Sequence, residues 1–364
     1  MSSVWGRNIK ISIFGESHSA AIGIVVNGLP AGLKIDLDRV HAAMKRRMPV
    51  SAAYSTARKE TDAVEIVSGF FNGCTTGTPL CGFIKNKDSH SADYDELKYK
   101  PRPSHADLTG YIKYGGFQDH RGGGHFSGRM TAPLVFAGSI AEQWLEQSGI
   151  LVRAHIYSIG PVKDRPFNSQ PDARDLEGLL YKDFPVLDDR AGKEMMEIVT
   201  LAKSDLDSIG GVVECIAAPM PAGLGDPMFD SLETIVAGML FSIPAVKGVE
   251  FGTGFAIAGM RGSQANDAPS MEHGEIIYKS NHNGGVLGGI SNGMPLIVRA
   301  ALKPTASIAA TQETVDMLTK ENTTLQIKGR HDACIVPRAV EVVRCAVALC
   351  LADLLMEDKK YDRT

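Results

Sequence analysis

Arg121-Gly122-Gly123-Gly124-His125-Phe126-Ser127-Gly128-Arg129 runs directly into an apolar stretch, Thr131 to Gln147. Taken as a dinucleotide fingerprint, Gly-x-Gly-x-x-Gly, the cluster fails, because a motif starting at Gly122 ends on Ser127. It is not a phosphate P-loop either, which needs Lys and then Ser or Thr after its glycines. Clustered glycine still means backbone at positive φ, or backbone brought close to something. The apolar stretch after it predicts a helix over Thr131–Gln147. The elements on either side show no regular βαβ alternation, so the fold class is α/β or α+β without a Rossmann core.

Working outward, Ile9, Ile11 and Ile13 alternate with polar residues and predict a half-buried strand. Gly15 to Ala20 is a loop, and Ile22 to Val26 returns as a more buried strand. Asp36 or Asp38 is placed to cap a basic helix that stops near Pro49. Pro161 to Asp189, rich in Pro and Asp, reads as surface loop. Further helices are expected over Ala191–Lys203 and from Ser231 to about Ser242. Strands are expected over Gly211–Ala218 and Pro295–Ala301. In the last helix Val340, Val343, Val347, Cys350, Leu351 and Leu354 follow helical spacing, with Glu341, Arg344, Glu357 and Asp358 outside the apolar face.

The chain has 364 residues, 38 basic against 42 acidic, for a formal net charge of −4. That balance argues against a nucleic-acid protein held by a global basic field, but leaves room for a local basic pocket. By length alone the chain holds two domains or one large one. The 38 glycines exceed the roughly 25 that average usage predicts. No run of about 20 uncharged apolar residues occurs, so no spanning helix is expected. The polar, strand-like opening suggests no signal peptide. The six cysteines form no Cys-x-x-Cys and read as reduced thiols of a cytoplasmic protein.

Three sites gather histidine and arginine. His18 follows a strand in Gly15-Glu16-Ser17-His18-Ser19. His105 lies in Arg102-Pro103-Ser104-His105-Ala106-Asp107, where Pro101 and Pro103 fix the backbone. Arg330-His331-Asp332 precedes the last helix, where an acid also serves commonly as a cap. Arg46, Arg47, Arg102, Arg121, Arg129 and Arg330 recur beside these loops, as a site for phosphate or carboxylate needs. Together they point to a small-molecule enzyme with an anionic, phosphorylated substrate. Ser17 sits one residue short of a nucleophile elbow, which leaves a serine hydrolase as an alternative. An FMN-binding electron carrier is another, although one phosphate needs fewer cations.

These residues carry a resemblance. The loops just quoted, with Asp207-Ser208-Ile209-Gly210, Ala245-Val246-Lys247-Gly248-Val249-Glu250, Arg261-Gly262-Ser263-Gln264, Gly288-Gly289-Ile290-Ser291-Asn292-Gly293, Lys303-Pro304-Thr305 and Gly329-Arg330-His331-Asp332, resemble the chorismate synthase family in order and across nearly the whole chain. The resemblance implies one α+β domain over residues 1–364, a β-α-β sandwich, and a homotetramer. It implies a carbon–oxygen lyase that makes chorismate by 1,4-trans elimination of phosphate from 5-enolpyruvylshikimate 3-phosphate, at the end of the shikimate pathway. Reduced FMN is implied as cofactor, lending an electron without net redox change. NADPH would act only indirectly, through a separate flavin reductase. No nucleic-acid or membrane partner is implied.

By family position His18, His105 and Asp332 would be catalytic. His18 would protonate the departing phosphate, His105 would face the flavin near N1 and the C2 carbonyl, and Asp332 would lie near N5. Ser17, Arg46, Arg47, Arg102, Arg129 and Arg330 would bind substrate. His125, Phe126, Ser127, Ala245, Gly288, Lys303, Pro304, Thr305, Ala306, Ser307 and Arg330 would hold FMN. The chain departs from the family pattern at Ser19 and Ser104, both usually glycine. It departs again at His125-Phe126-Ser127-Gly128-Arg129, usually Arg-Ser-Ser-Ala-Arg.

Overall fold

The structure, a computed structural model, describes residues 3–48, 62–86, 96–327 and 332–360. Two antiparallel sheets of five strands frame it. The first contains β1 (Val4–Trp5), β2 (Lys10–Gly15), β3 (Ala21–Asn27), β4 (Glu65–Ser68) and β5 (Leu80–Lys85), in the order β1-β2-β3-β5-β4. The second contains β6 (Leu151–Ile159), β7 (Val162–Lys163), β8 (Gly211–Ala218), β9 (Val246–Phe251) and β10 (Leu296–Leu302), in the order β9-β10-β8-β6-β7. Cys215 of the central strand β8 stands opposite Ala154 on one side and Val298 on the other.

The helices are α1 (Leu37–Arg47), α2 (Asp107–Tyr114), α3 (Thr131–Gln147), α4 (Asp189–Ser204), α5 (Leu232–Ser242) and α6 (Val336–Lys360), besides shorter turns. Helix α1 starts because the Asp36 carboxylate accepts the backbone N–H of Asp38 at 2.9 Å and of Arg39 at 3.3 Å. Its last turn carries Lys45, Arg46 and Arg47, which suit the negative end of the helix dipole.

Helix α3 packs on β3 and β5 of the first sheet, on β6 of the second, and along α6. Helix α6 in turn lies on β6 and β8. The two helices therefore form a middle layer, which makes the fold a β-α-β sandwich. Gly138 permits the close crossing: a Cβ there would meet Cys345 at 2.4 Å.

Two expectations change here. Glu341 and Arg344 of α6 are buried, although they lie off the apolar stripe. The helix is central rather than half-exposed, and its charges are neutralised inside by Glu142, Arg46 and each other. The stretch Pro161 to Asp189 is not plain surface loop. It contains the short helix Ala173–Gly178 and buries Phe167, Leu176 and Leu179 against Ile216, Ala218 and Ile297 of the second sheet. Apolar residues spaced irregularly among Pro and Asp carry no periodic signal.

Candidate functional site

The glycine cluster folds as a tight loop just before α3. Gly122, Gly123 and Gly124 take φ of 58°, 83° and 55°. A Cβ on Gly122 would sit 2.3 Å from the His18 ring, and one on Gly123 would sit 3.1 Å from the ring of His105. The loop threads between the two histidines, and only glycine leaves room for both. His18 is held in the β2–β3 loop by neighbours: the Ser17 N–H donates to the Gly124 carbonyl at 3.1 Å. Ser19 fits its position by stitching this loop, its hydroxyl accepting the Glu16 N–H at 2.9 Å. Asn86 donates to the carbonyls of Glu16 and Ser19.

His105 is fixed from the other side. Its Nδ1 lies 2.6 Å from Asp107 Oδ1, and a carboxylate can only accept, so Nδ1 donates there and Nε2 is the ring nitrogen left for another partner. The same Asp107 takes Arg102 through two bonds of 2.7 and 2.8 Å. Burial alone would raise the Asp107 carboxyl, but the bonds from Arg102 and His105 prevail and hold it well below the ordinary range. Ser104 occupies the left-handed region at φ 57°, where glycine is easiest, and its carbonyl accepts from Lys303 at 2.9 Å.

A third group closes the cleft. Asp62 pairs with Arg47 and, at 2.9 Å, with Arg129. Arg129 Nε also donates to Asn86 at 2.6 Å. Asp332 pairs with Arg338, whose Nε donates to the Arg47 carbonyl at 3.1 Å. Asp332 therefore engages a residue in the first turn of α6.

These groups line a cleft of about 710 Å³, with Ala245, Lys247 and the loop Lys303 to Ser307 on its second-sheet side. Burial, reinforced by nearby Lys247, lowers the Lys303 ammonium below its usual value, as expected where cations crowd without an anion. Thr305 Oγ1 is buried there with no hydrogen-bond partner. An orphaned hydroxyl beside two lysines and a bare glycine loop fits an anionic, phosphate-bearing cofactor. Phe126 gives the cleft an aromatic side, its ring centroid 6.2 Å from that of Tyr114.

The cleft brings together Arg47, Arg102, His105, His125, Phe126, Ser127, Arg129, Ala245, Lys303, Pro304, Thr305, Ala306, Ser307 and Asp332. Ser17 and His18 stand directly behind Gly122. The structure does not bring in Arg46, whose guanidinium pairs with Glu341 at 3.1 Å, or Gly288, which lies exposed away from the cleft. Arg330 lies outside the described residues. Sequence reasoning missed Asp62, Lys247 and Arg338 as cleft residues, and gave Asp107 no role. Lys247 and Asp107 stood inside quoted motifs. Asp62 and Arg338 gave no signal, since each acts through a partner distant in sequence.

The family model described as chorismate synthase matches residues 9–356. Chorismate synthase of Dehalococcoides mccartyi strain BAV1 is 46% identical over 357 residues, covering 98% of this chain and 97% of the relative. That of Thermococcus kodakarensis is 45% identical, covering 98% of both chains. A crystal structure of chorismate synthase superimposes with a TM-score of 0.77 at 28% identity, over 97% of this chain and 93% of the other.

Proposed function

The chain belongs to the chorismate synthase family, and we propose that its lyase reaction runs in the cleft between the glycine loop and Lys303. It forms chorismate in the shikimate pathway of aromatic amino-acid biosynthesis. The observation that carries the assignment of the site is the bare glycine loop between His18 and His105, beside an arginine-rich cleft.

In this reading Arg47, Arg102, Arg129 and Arg330 bind the phosphate and carboxylates of 5-enolpyruvylshikimate 3-phosphate. Arg46 is left out, since Glu341 already holds it. His18 holds a proton for the departing phosphate oxygen. His105, with Nδ1 committed to Asp107, exchanges its proton at Nε2 toward the cofactor. Asp332, kept in place by Arg338, takes the ring hydrogen as a proton. FMN is the flavin, held by the loop from Lys303 to Ser307, Ala245 and the His125–Ser127 turn. When bound in reduced form it supplies the transient electron that breaking the carbon–oxygen bond requires. The orphaned Thr305 hydroxyl supports this placement.

Residues 1–364 are taken as one domain, supported by the packing of α3 on both sheets. A homotetramer is the proposed assembly, and subunit contacts would cover exposed apolar side chains such as Phe117, Phe229 and Phe255. A cytoplasmic site is supported by the six free cysteines. Among the described residues no helix is long and apolar enough to cross a membrane. Flavin reduced by a separate NADPH-dependent enzyme completes the scheme.

The test is His18→Ala. Turnover should fall by about 100-fold or more, the usual worth of a positioned general acid, with FMN affinity nearly intact. Equal loss of both would give His18 a structural role only.

A further inference from the structure

Asp62 has no place in the reading above, yet it lies at the centre of the arginine face of the cleft. Its carboxylate is 1% exposed and spans two guanidiniums that arrive from different elements. Arg47 ends α1, and Arg129 stands in the turn just before α3. One carboxylate oxygen takes Nη2 of Arg47, and the other takes Nη1 of Arg129 at 2.9 Å. Two buried cations side by side repel each other, and a shared carboxylate is the simplest device that fixes both.

Burial and charge pull these groups in opposite directions. Burial raises the Asp62 carboxyl, but Arg47 and Arg129 outweigh that and hold it below its ordinary value. Arg47 goes the other way: burial lowers it below the usual arginine value, and Arg338 and Arg129 add to this against the pull of Asp62. Asp62 therefore bridges two cations, and Arg338, paired with Asp332, stands nearby. Arg47 Nε is buried without a hydrogen-bond partner. Both guanidiniums line the cleft, and Asp62 sets the angle at which they meet an anion there.

We propose that Asp62 is a positioning residue for the substrate, bridging Arg47 and Arg129 so that both address the same anionic group. This rests on the function proposed above. Asp62 does not touch the loop from Lys303 to Ser307, so its influence falls on substrate rather than on flavin.

The test compares Asp62→Asn and Asp62→Glu with the unaltered enzyme loaded with FMN. Binding of 5-enolpyruvylshikimate 3-phosphate is measured by calorimetry alongside turnover. Asp62→Asn keeps the shape and removes the charge. Substrate affinity should fall at least about tenfold, while FMN affinity moves less than about twofold. Asp62→Glu restores the charge and should recover affinity to within about threefold of the original. Unchanged substrate affinity in the Asn variant, or parallel loss of substrate and FMN binding, would overturn the proposal. If Asp62→Asn does not fold, Arg47→Gln, Arg129→Gln and the pair put the same question. Residues that share one carboxylate must be coupled, and simply additive losses of affinity would overturn the proposal. Binding without turnover in the unaltered enzyme would sink the functional reading but leave this test standing. Absence of binding would sink both.

Discussion

Arg46 and Arg47 are neighbours in the chain, yet they end in opposite kinds of charge cluster. Arg46 turns inward to Glu341, in a network that also holds Arg344, Glu142 and Arg153 between α3 and α6. There every nitrogen of the Arg344 guanidinium is engaged by a carboxylate. Burial lowers Arg344, but Glu142 and Glu341 prevail and raise it well above the usual value. Arg47 turns to the cleft, where it shares Asp62 with Arg129 and keeps Nε without a partner. One cluster is closed and holds the sandwich together. The other lines the cleft, with one nitrogen of Arg47 unengaged. Burial alone does not separate them, since Arg47 and Arg344 are 3% and 2% exposed. What separates them is how many carboxylates face each guanidinium.

The largest effect should come from breaking the closed cluster. Arg344→Leu leaves Glu142 with Arg153 alone and Glu341 with Arg46 alone, and breaking into a buried ion network in this way costs about 3–5 kcal/mol. Thermal or urea unfolding reads this directly. A loss under about 1 kcal/mol would mean the network is not what holds α3 to α6. The open cluster should respond in activity instead. Arg47→Lys keeps the charge but loses the fork, and KM for the shikimate phosphate should rise about tenfold or more with little change in unfolding. The same change at Arg46 should leave KM within about twofold. Equal effects at the two positions would erase the distinction between them.

The smallest effect sharpens the picture of a closed cluster elsewhere. His155 is wholly buried between Asp164 and Glu214, each at 3.0 Å, and Glu214 also binds Arg299. Burial lowers the imidazole, but the two carboxylates overcome this and raise its pKa above the ordinary value. A raised folded pKa stabilises fully below the unfolded value of about 6.5, and that stability fades as pH rises through the folded pKa. Unfolding free energy should therefore decline on the alkaline side, and His155→Gln should flatten that slope. An unchanged slope would mean that His155 folds neutral. Asp164 runs the other way: burial raises it, His155 and backbone N–H groups lower it further, and its contribution is lost in acid.

Much of this was legible in the sequence, and the reasons for the remainder are physical. Helix α3 was readable to the residue, because a mostly apolar run follows directly on the glycine cluster. The strand Gly211–Ala218 was equally clear. The split between Arg46 and Arg47 was not, because adjacent helical residues point about 100° apart and their acids come from positions 341 and 62. Burial of Glu341 and Arg344 was hidden for the same reason, since Glu142 lies 202 positions from Arg344. Pairing across the fold decides which charge is buried, and periodicity within one helix does not report it. The histidines were visible as motif members. Their separation by Gly122 and Gly123 required the loop in three dimensions.

The most direct test is an anaerobic assay with purified protein, 5-enolpyruvylshikimate 3-phosphate and dithionite-reduced FMN, following phosphate and chorismate together. The cleft as described predicts equal release of both, and none with oxidised FMN. Folded, flavin-bound protein that releases neither product, or releases them equally well with oxidised flavin, would contradict it.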